Sequence, residues 1–374
     1  MLTALALAGC SFHAHEANAP GDGPSVDVLS IDAPPPPPGS TCVGTPTSVS
    51  GQICLDAPPS GAVQIASNTP INTGITSSMC ATNVVSENAD YCVIAGTSIT
   101  IDGGVLLNAS GARPLVLLST STIMIDGTID VASHVTGTPQ GIGAGADPAD
   151  CATGGAATGG GGGAGGSLGT QGAAGGGSQS PTGSGGVAAG ITTPTVLRGG
   201  CAGTKGGGTK GGAGGDGGGA VALVAQGSIA ITGVIDASGA GGSGTTGVTN
   251  GVIYGGGGGG AGGMIVLDAP TIGGAGMIYA NGGGGGEASQ FNASGVAGHD
   301  PTTATAAATG GSGGAEPYGG DGGSGGFATT AATAGWNTTT TASSYGGGGG
   351  GGGVGVIKLY GSPSLSGAVS PPAS

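Results

Sequence analysis

Short stretches of this chain alternate apolar and other residues with a period of two, the mark of a half-buried strand. Two of them align without a gap. In residues 115–133, LVLLSTSTIMIDGTIDVAS, the positions Ile123, Ile125, Gly127, Ile129 and Val131 match Ile229, Ile231, Gly233, Ile235 and Ala237 of residues 221–239, VALVAQGSIAITGVIDASG. Upstream, Leu115 and Leu117 match Val221 and Leu223. The frame recurs at 91–109, at 265–282 with one residue deleted and Gly274 at a normally apolar position, and in a degenerate final copy at 357–371. Each copy reads as strand, turn, strand, bend, strand in roughly 20 residues, with a Gly at the bend.

One such unit cannot bury its own apolar face, whereas stacked copies can. The expected fold is therefore all-β, a parallel β-helix or β-solenoid of about five degenerate coils, and the pattern resembles the parallel β-helices of bacterial surface proteins. The alternative is an antiparallel β-sandwich with disordered Gly-rich loops. Long Gly-rich insertions, at 134–219, 240–262 and 283–353, leave after one repeat position and return before another. They are expected along one side of a body spanning 91–374, either mobile or packed as polyglycine helices related to polyproline II. Tracts such as GGAGGDGGGA at 211–220 and GGDGGSGG at 319–326 resemble the PGRS segments of mycobacterial PE-PGRS proteins, without a counterpart of the PE domain.

Composition sharpens this picture. The chain has 374 residues, of which 96 are Gly and only 6% are charged, against about 7% Gly and 25% charged in an ordinary domain. Its net charge is −14 and its basic residues are Arg113, Arg198, Lys205, Lys210 and Lys358. Nucleic-acid binding needs clustered cations to displace counterions from phosphate. No such cluster exists here, and nucleic acid is excluded as a partner.

The N-terminus reads as an address. An apolar run, LTALALAG, precedes Cys10, and Leu7-Ala8-Gly9-Cys10 resembles the lipobox of bacterial lipoproteins. The resemblance implies cleavage before Cys10 and acylation of that Cys, which anchors the chain to a membrane. Ser11 in place of Asp implies the outer membrane or cell surface. The segment 1–10 lacks a basic residue and is shorter than the usual 15–30 residues or so, and a start further upstream would account for both. Residues 11–40, with the run Pro34 to Pro38 and interspersed acids, read as a stiff tether. His13 and His15 fall on it, as solvated residues.

Seven Cys leave six once Cys10 is acylated: Cys42, Cys54, Cys80, Cys92, Cys151 and Cys201. An even remainder suits an exported, disulfide-bonded protein. Six Cys allow many connectivities. Equal spacing favours Cys42–Cys54 and Cys80–Cys92, which give a disulfide-bonded N-terminal cap at 41–90 with its second bridge reaching Cys92 at the start of the body, and Cys151–Cys201 then closes a Gly-rich insertion. The spacing does not suit zinc, and no metal or cofactor is expected.

Candidate chemistry is sparse. Asp102, Asp126, Asp130 and Asp236 recur at fixed repeat positions. Two of them on neighbouring coils would suit acid–base work on a polysaccharide or a calcium ion, but Asp beside a bend more commonly accepts backbone hydrogen bonds. GGAGGD at 211–216 matches the start of a calcium-binding nonapeptide without a tandem array. His134 and His299 lie in Gly-rich insertions without an obvious Ser or Cys partner, so no triad is assigned. The expected function is a non-catalytic structural or adhesive cell-surface lipoprotein. Its partners are a membrane and then envelope polysaccharide, matrix or other cells. A polysaccharide-active or polysaccharide-binding protein is the alternative.

Overall fold

The β-branched and leucine-rich runs of the sequence form short strands, and what pairs them is their register. The computed structural model describes residues 39–75, 77–81, 83–85, 90–135, 141–179, 182–246, 252–289, 293–313, 319–338 and 345–374. All of them belong to one unit, Pro36–Ser374. A hairpin, β1 (Thr41–Val43) and β2 (Ile53–Leu55), precedes β3 (Val63–Ile65) and β4 (Thr69–Asn72). Three triplets follow. The first is β5 (Cys92–Gly96), β6 (Ile99–Ile101) and β7 (Leu106–Ser110), and the second is β8 (Leu115–Ser119), β9 (Thr122–Ile125) and β10 (Thr128–Asp130). After the short pair β11 (Ser178–Gln179) and β12 (Thr182–Gly183) comes the third, β13 (Ala220–Ala225), β14 (Ser228–Ile231) and β15 (Val234–Asp236). The chain closes with β16 (Met264–Gly274), β17 (Met277–Tyr279), β18 (Val356–Leu365) and β19 (Val369–Ser370). The described residues contain no helix.

Residues aligned in the repeats stand opposite one another in parallel ladders. Ile229 pairs with Ile123, Ile231 with Ile125, and Ile235 with Ile129. The six-stranded sheet runs β19-β17-β15-β10-β7-β4, and the nine-stranded sheet runs β3-β6-β9-β14-β16-β13-β8-β5 with β18 on β16.

This arrangement is all-β, but it overturns both architectures expected from the sequence. The regular stack of about five degenerate solenoid coils with insertions along one side is replaced by a nearly closed, barrel-like parallel sheet and a second parallel sheet. The antiparallel sandwich also fails, because the pairs in both large sheets are parallel. The physical cause lies where the repeat at 265–282 has lost a residue. The second and third triplets turn through Thr120-Ser121 and Gln226-Gly227 between two strands. Ala269-Pro270 leaves no room for that turn, and β16 runs unbroken. Its first half pairs with β13 and its second half with β14, with a register irregularity between Asp268 and Thr271. Two ladders that would otherwise be separate faces become one curved sheet.

Inside lie Ile99, Ile101, Ile123, Ile125, Ile229, Ile231, Ile272 and their neighbours from the six-stranded sheet. The strands β8 and β13 are buried on both faces, as continuous apolar runs in parallel sheets are. Their outward residues, Val116, Leu118, Ala222 and Val224, meet Val43, Ile53, Leu55 and Leu197 in a second apolar layer. Three disulfides, Cys42–Cys54, Cys80–Cys92 and Cys151–Cys201, close the structure. The first joins register partners of β1 and β2.

The Gly-rich segments are ordered where they are described. Residues 255–263 form the centre of a bundle of extended helices. Gly256, Gly259 and Gly262 donate to the carbonyls of Gly347, Gly350 and Gly353. Gly257, Gly260 and Gly263 donate to Ser243, Ala240 and Ala237, and Gly255, Gly258 and Ala261 to Gly207, Thr204 and Cys201. Three other segments donate to its carbonyls, through Gly163 and Gly166, through Gly212, Gly215 and Gly218, and through Gly283 and Gly286. Every third residue faces the same neighbour, as in polyproline II geometry. Such a helix has no internal hydrogen bonds, so its neighbours must satisfy its backbone.

Close approach makes Gly obligatory at the centre. A Cβ on Gly257 would lie 1.9 Å from the Ala213 carbonyl oxygen, and one on Gly258 1.9 Å from that of Ala164. Gly258→Ala is expected to lower stability by about 2–3 kcal/mol. Gly190, whose Cβ would meet nothing within 4 Å, is expected to accept Ala with a change of about 0.5 kcal/mol or less. Thermal unfolding of the two variants compares them directly, and equal Tm values would exclude backbone close packing as the source of order.

Candidate functional site

The third strand of each triplet carries a polar residue at one register position. Asn108, Asp130, Asp236, Tyr279 and Ser370 stand side by side on β7, β10, β15, β17 and β19. Asp130, Asp236, Tyr279 and Ser370 are buried. Each Asp serves its own bend, with Asp130 Oδ1 accepting from Ala132 N at 3.0 Å and Asp236 Oδ1 from Ser238 N at 2.9 Å.

His134 lies one turn of chain beyond Asp130. Its Nε2 is 3.2 Å from Asp130 Oδ2, and its Nδ1 is 3.6 Å from Asp300 Oδ2. Asp300 also accepts from Val135 N at 3.1 Å and from Gly241 N at 2.8 Å. Thus one carboxylate from the last Gly-rich insertion links the exits of β10 and β15. Beside it, Ser370 Oγ donates to Asn281 Oδ1 at 2.5 Å, Ser238 Oγ accepts from Asn281 N at 3.1 Å, and Ser133 Oγ donates to the Gly217 carbonyl at 2.5 Å. This polar seam joins the six-stranded sheet to the Gly bundle.

The electrostatics follow from burial and neighbours. Hydrogen bonds to Asp130 and then Asp300 raise the His134 pKa to about 10 against the opposing effect of burial. Burial, followed by the adjacent Asp130 charge, pushes Asp236 up to about 7. Burial also acts to raise Asp300, but the bonds from His134, Gly241 and Val135 outweigh it and hold that carboxyl low. Tyr279, within hydrogen-bonding reach of Asp236, is raised by burial and by that neighbour. The His134 ring sits between two carboxylates, with Asp130 at Nε2 and Asp300 on the Nδ1 side. The arrangement holds charge and chain segments in place.

The other candidates are dispersed. Asp102 accepts from Gln64 Nε2, at 3.0 Å to Oδ2, and Asp126 is exposed and accepts from Thr232 Oγ1 at 2.5 Å. His299 is hydrogen-bonded to Thr309. Asp216 of the GGAGGD segment lies in the bundle, its carboxyl raised by burial. Cys10, His13 and His15 lie outside the described residues. No group of three or more His, Cys, Asp or Glu among the described residues is arranged to hold a metal ion. The pairing of Asp130 with Asp236 was visible in the repeat. The role of His134 was missed, and its spacing of four from Asp130 was the one available signal.

Searches for a matching protein family, a similar curated protein and a similar solved structure each found none. The three disulfides indicate an oxidising, extracytoplasmic environment. Among the described residues no helix is long and apolar enough to cross a membrane.

The cluster predicts a pH profile. The folded pKa of His134, about 10, exceeds its ordinary 6.5, so its contribution is complete below pH 6.5 and is lost as the pH rises towards 10. Asp236, shifted from 3.8 to about 7, has the same sign and loses its contribution between those values. Asp300, shifted down, contributes above its ordinary range and loses that contribution in strong acid. The Tm is therefore expected to be highest on the acid side of neutrality and to fall between pH 6.5 and 10. Removing one partner of a buried ion pair costs about 3 kcal/mol or more, so His134→Gln should lower the Tm at pH 6 and flatten this alkaline decline. A wild-type Tm that stays level from pH 6 to 10 would contradict the assignment.

Proposed function

We propose that this chain is a non-catalytic structural or adhesive lipoprotein of the outer membrane or cell surface. In this reading Cys10 carries the acyl chains, residues 11–40 hold the body off the membrane, and the Gly bundle faces outward. Envelope polysaccharide, matrix or other cells would be its partners.

The observation that carries the reading is the bundle. Its central backbone groups are used up by six neighbouring segments, an arrangement that supplies a stiff shape without reactive side chains. The ion cluster adds to this support, since its His sits between two carboxylates. The even set of paired Cys leaves Cys10 as the odd one, consistent with acylation. Asp126 is exposed and Asp236 buried, so no specific observation favours a polysaccharide-processing pair.

Lys205 and Lys210 are exposed on the bundle and provide the test. A membrane-impermeant amine reagent applied to intact cells is expected to label both, and Cys10→Ser is expected to abolish fatty-acid incorporation and release the protein from membranes. Labelling only after the outer membrane is opened would move the body to the periplasm. Unchanged fatty-acid incorporation in Cys10→Ser would remove the anchor.

A further inference from the structure

The Cys151–Cys201 disulfide has a guanidinium against both of its sulfurs. Arg198 is 4% exposed, and its Nη2 lies 3.2 Å from Cys151 Sγ and 3.3 Å from Cys201 Sγ. Its Nε donates to the Gly199 carbonyl, and its Nη1 to Asp150 Oδ2 at 2.7 Å. By contrast, among the described residues the sulfurs of Cys42 and Cys80 contact uncharged oxygens, Ser40 Oγ at 4.0 Å and the Asn72 carbonyl at 3.9 Å.

A neutral disulfide gains little from a guanidinium. The thiolate released when it opens gains much more, because a nearby cation lowers a thiol pKa and a thiolate of lower pKa is the better leaving group. Access is also uneven. Cys151 is part-exposed and Cys201 buried. Arg198 also lines a cleft of about 330 Å³ with Tyr91, Pro148, Leu197, Asp90 and Asp150, which neither Cys lines, and the Asp150 side chain is 66% exposed. Asp147, bonded to Gly217 N, is a further acid close by.

We propose that Cys151–Cys201 is a thiol–disulfide exchange site that takes a small thiol on Cys151. An incoming thiolate attacks Cys151 Sγ, a new S–S bond forms, and the Cys151–Cys201 bond breaks. Cys201 leaves with the electron pair as a thiolate beside Arg198. A second thiol then attacks the sulfur of the bound thiol, giving the small-molecule disulfide and the Cys151 thiolate, so two electrons pass from two thiols to the protein. Exchange removes the covalent closure, of sequence separation 50, around the first Gly-rich segments while their backbone hydrogen bonds remain.

The test treats the full-length protein in mild detergent at pH 7 with dithiothreitol or reduced glutathione, followed by acid quench, alkylation and mass spectrometry. Cys151–Cys201 is expected to open about tenfold faster than either other disulfide, with glutathione attached at Cys151. Arg198→Gln should erase that preference, while Asp150→Asn, at an exposed position, should retain or increase it. Because Arg198 is buried and its variant risks misfolding, the wild-type protein supplies a second readout. The Cys201 thiol released by reduction should alkylate with a midpoint below the ordinary thiol pKa of about 8.5. Opening no faster than the other disulfides, glutathione attached elsewhere, or a midpoint at or above the ordinary value would each overturn the proposal.

Discussion

A Gly residue has no side chain with which to offset the conformational entropy lost on ordering, so the order of the Gly segments rests on backbone hydrogen bonds between chains that touch. Extended helices carry donors and acceptors pointing outward in three directions, and an isolated one leaves them all to water. Six neighbours around residues 255–263 satisfy them. The same contact distances exclude a Cβ at Gly257 and Gly258. Composition and packing are thus one constraint, since only Gly permits the approach and only the approach satisfies the Gly backbone.

The bundle needs a template that sets its segments in register, and the sheets supply it. The Gly-rich segments leave from β10, β15 and β17 and return at β13, β16 and β18. The parallel ladders fix how far apart these exits and entries stand. Backbone bonds continue past the strand ends, as in Val131 N to Asp236 O and Ser133 N to Ser238 O. At this boundary the polar column of Asp130 and Asp236 turns the chain. Asp300 and His134 then tie a late insertion to two early exits. A buried ion cluster is weak support for net stability, but here it selects which segment meets which, a need made acute by tracts that are nearly identical in sequence.

Much of the sheet was legible. Ile123 with Ile229 and Ile129 with Ile235 could be aligned because parallel strands place equivalent repeat residues opposite each other. The deletion near Ala269-Pro270 could be seen as well, but not its consequence. Whether a lost turn breaks a strand or fuses two depends on the partners on either side, and β13 and β14 hold β16 continuous. The cluster was half legible. Asp130 and Asp236 share a repeat position, whereas Asp300 comes from an insertion with no repeat frame.

By itself the sequence determined the strand periodicity, the register of the repeats, the even set of six body Cys and the scarcity of charge, because each depends on residue type and spacing along the chain. Tertiary structure decided the near closure of the large sheet, the order of the Gly segments, the partners of His134 and the placing of Arg198 against a disulfide. Those depend on which distant segments come within hydrogen-bonding distance, and Gly tracts, all nearly alike, carry almost no local signal of their neighbours.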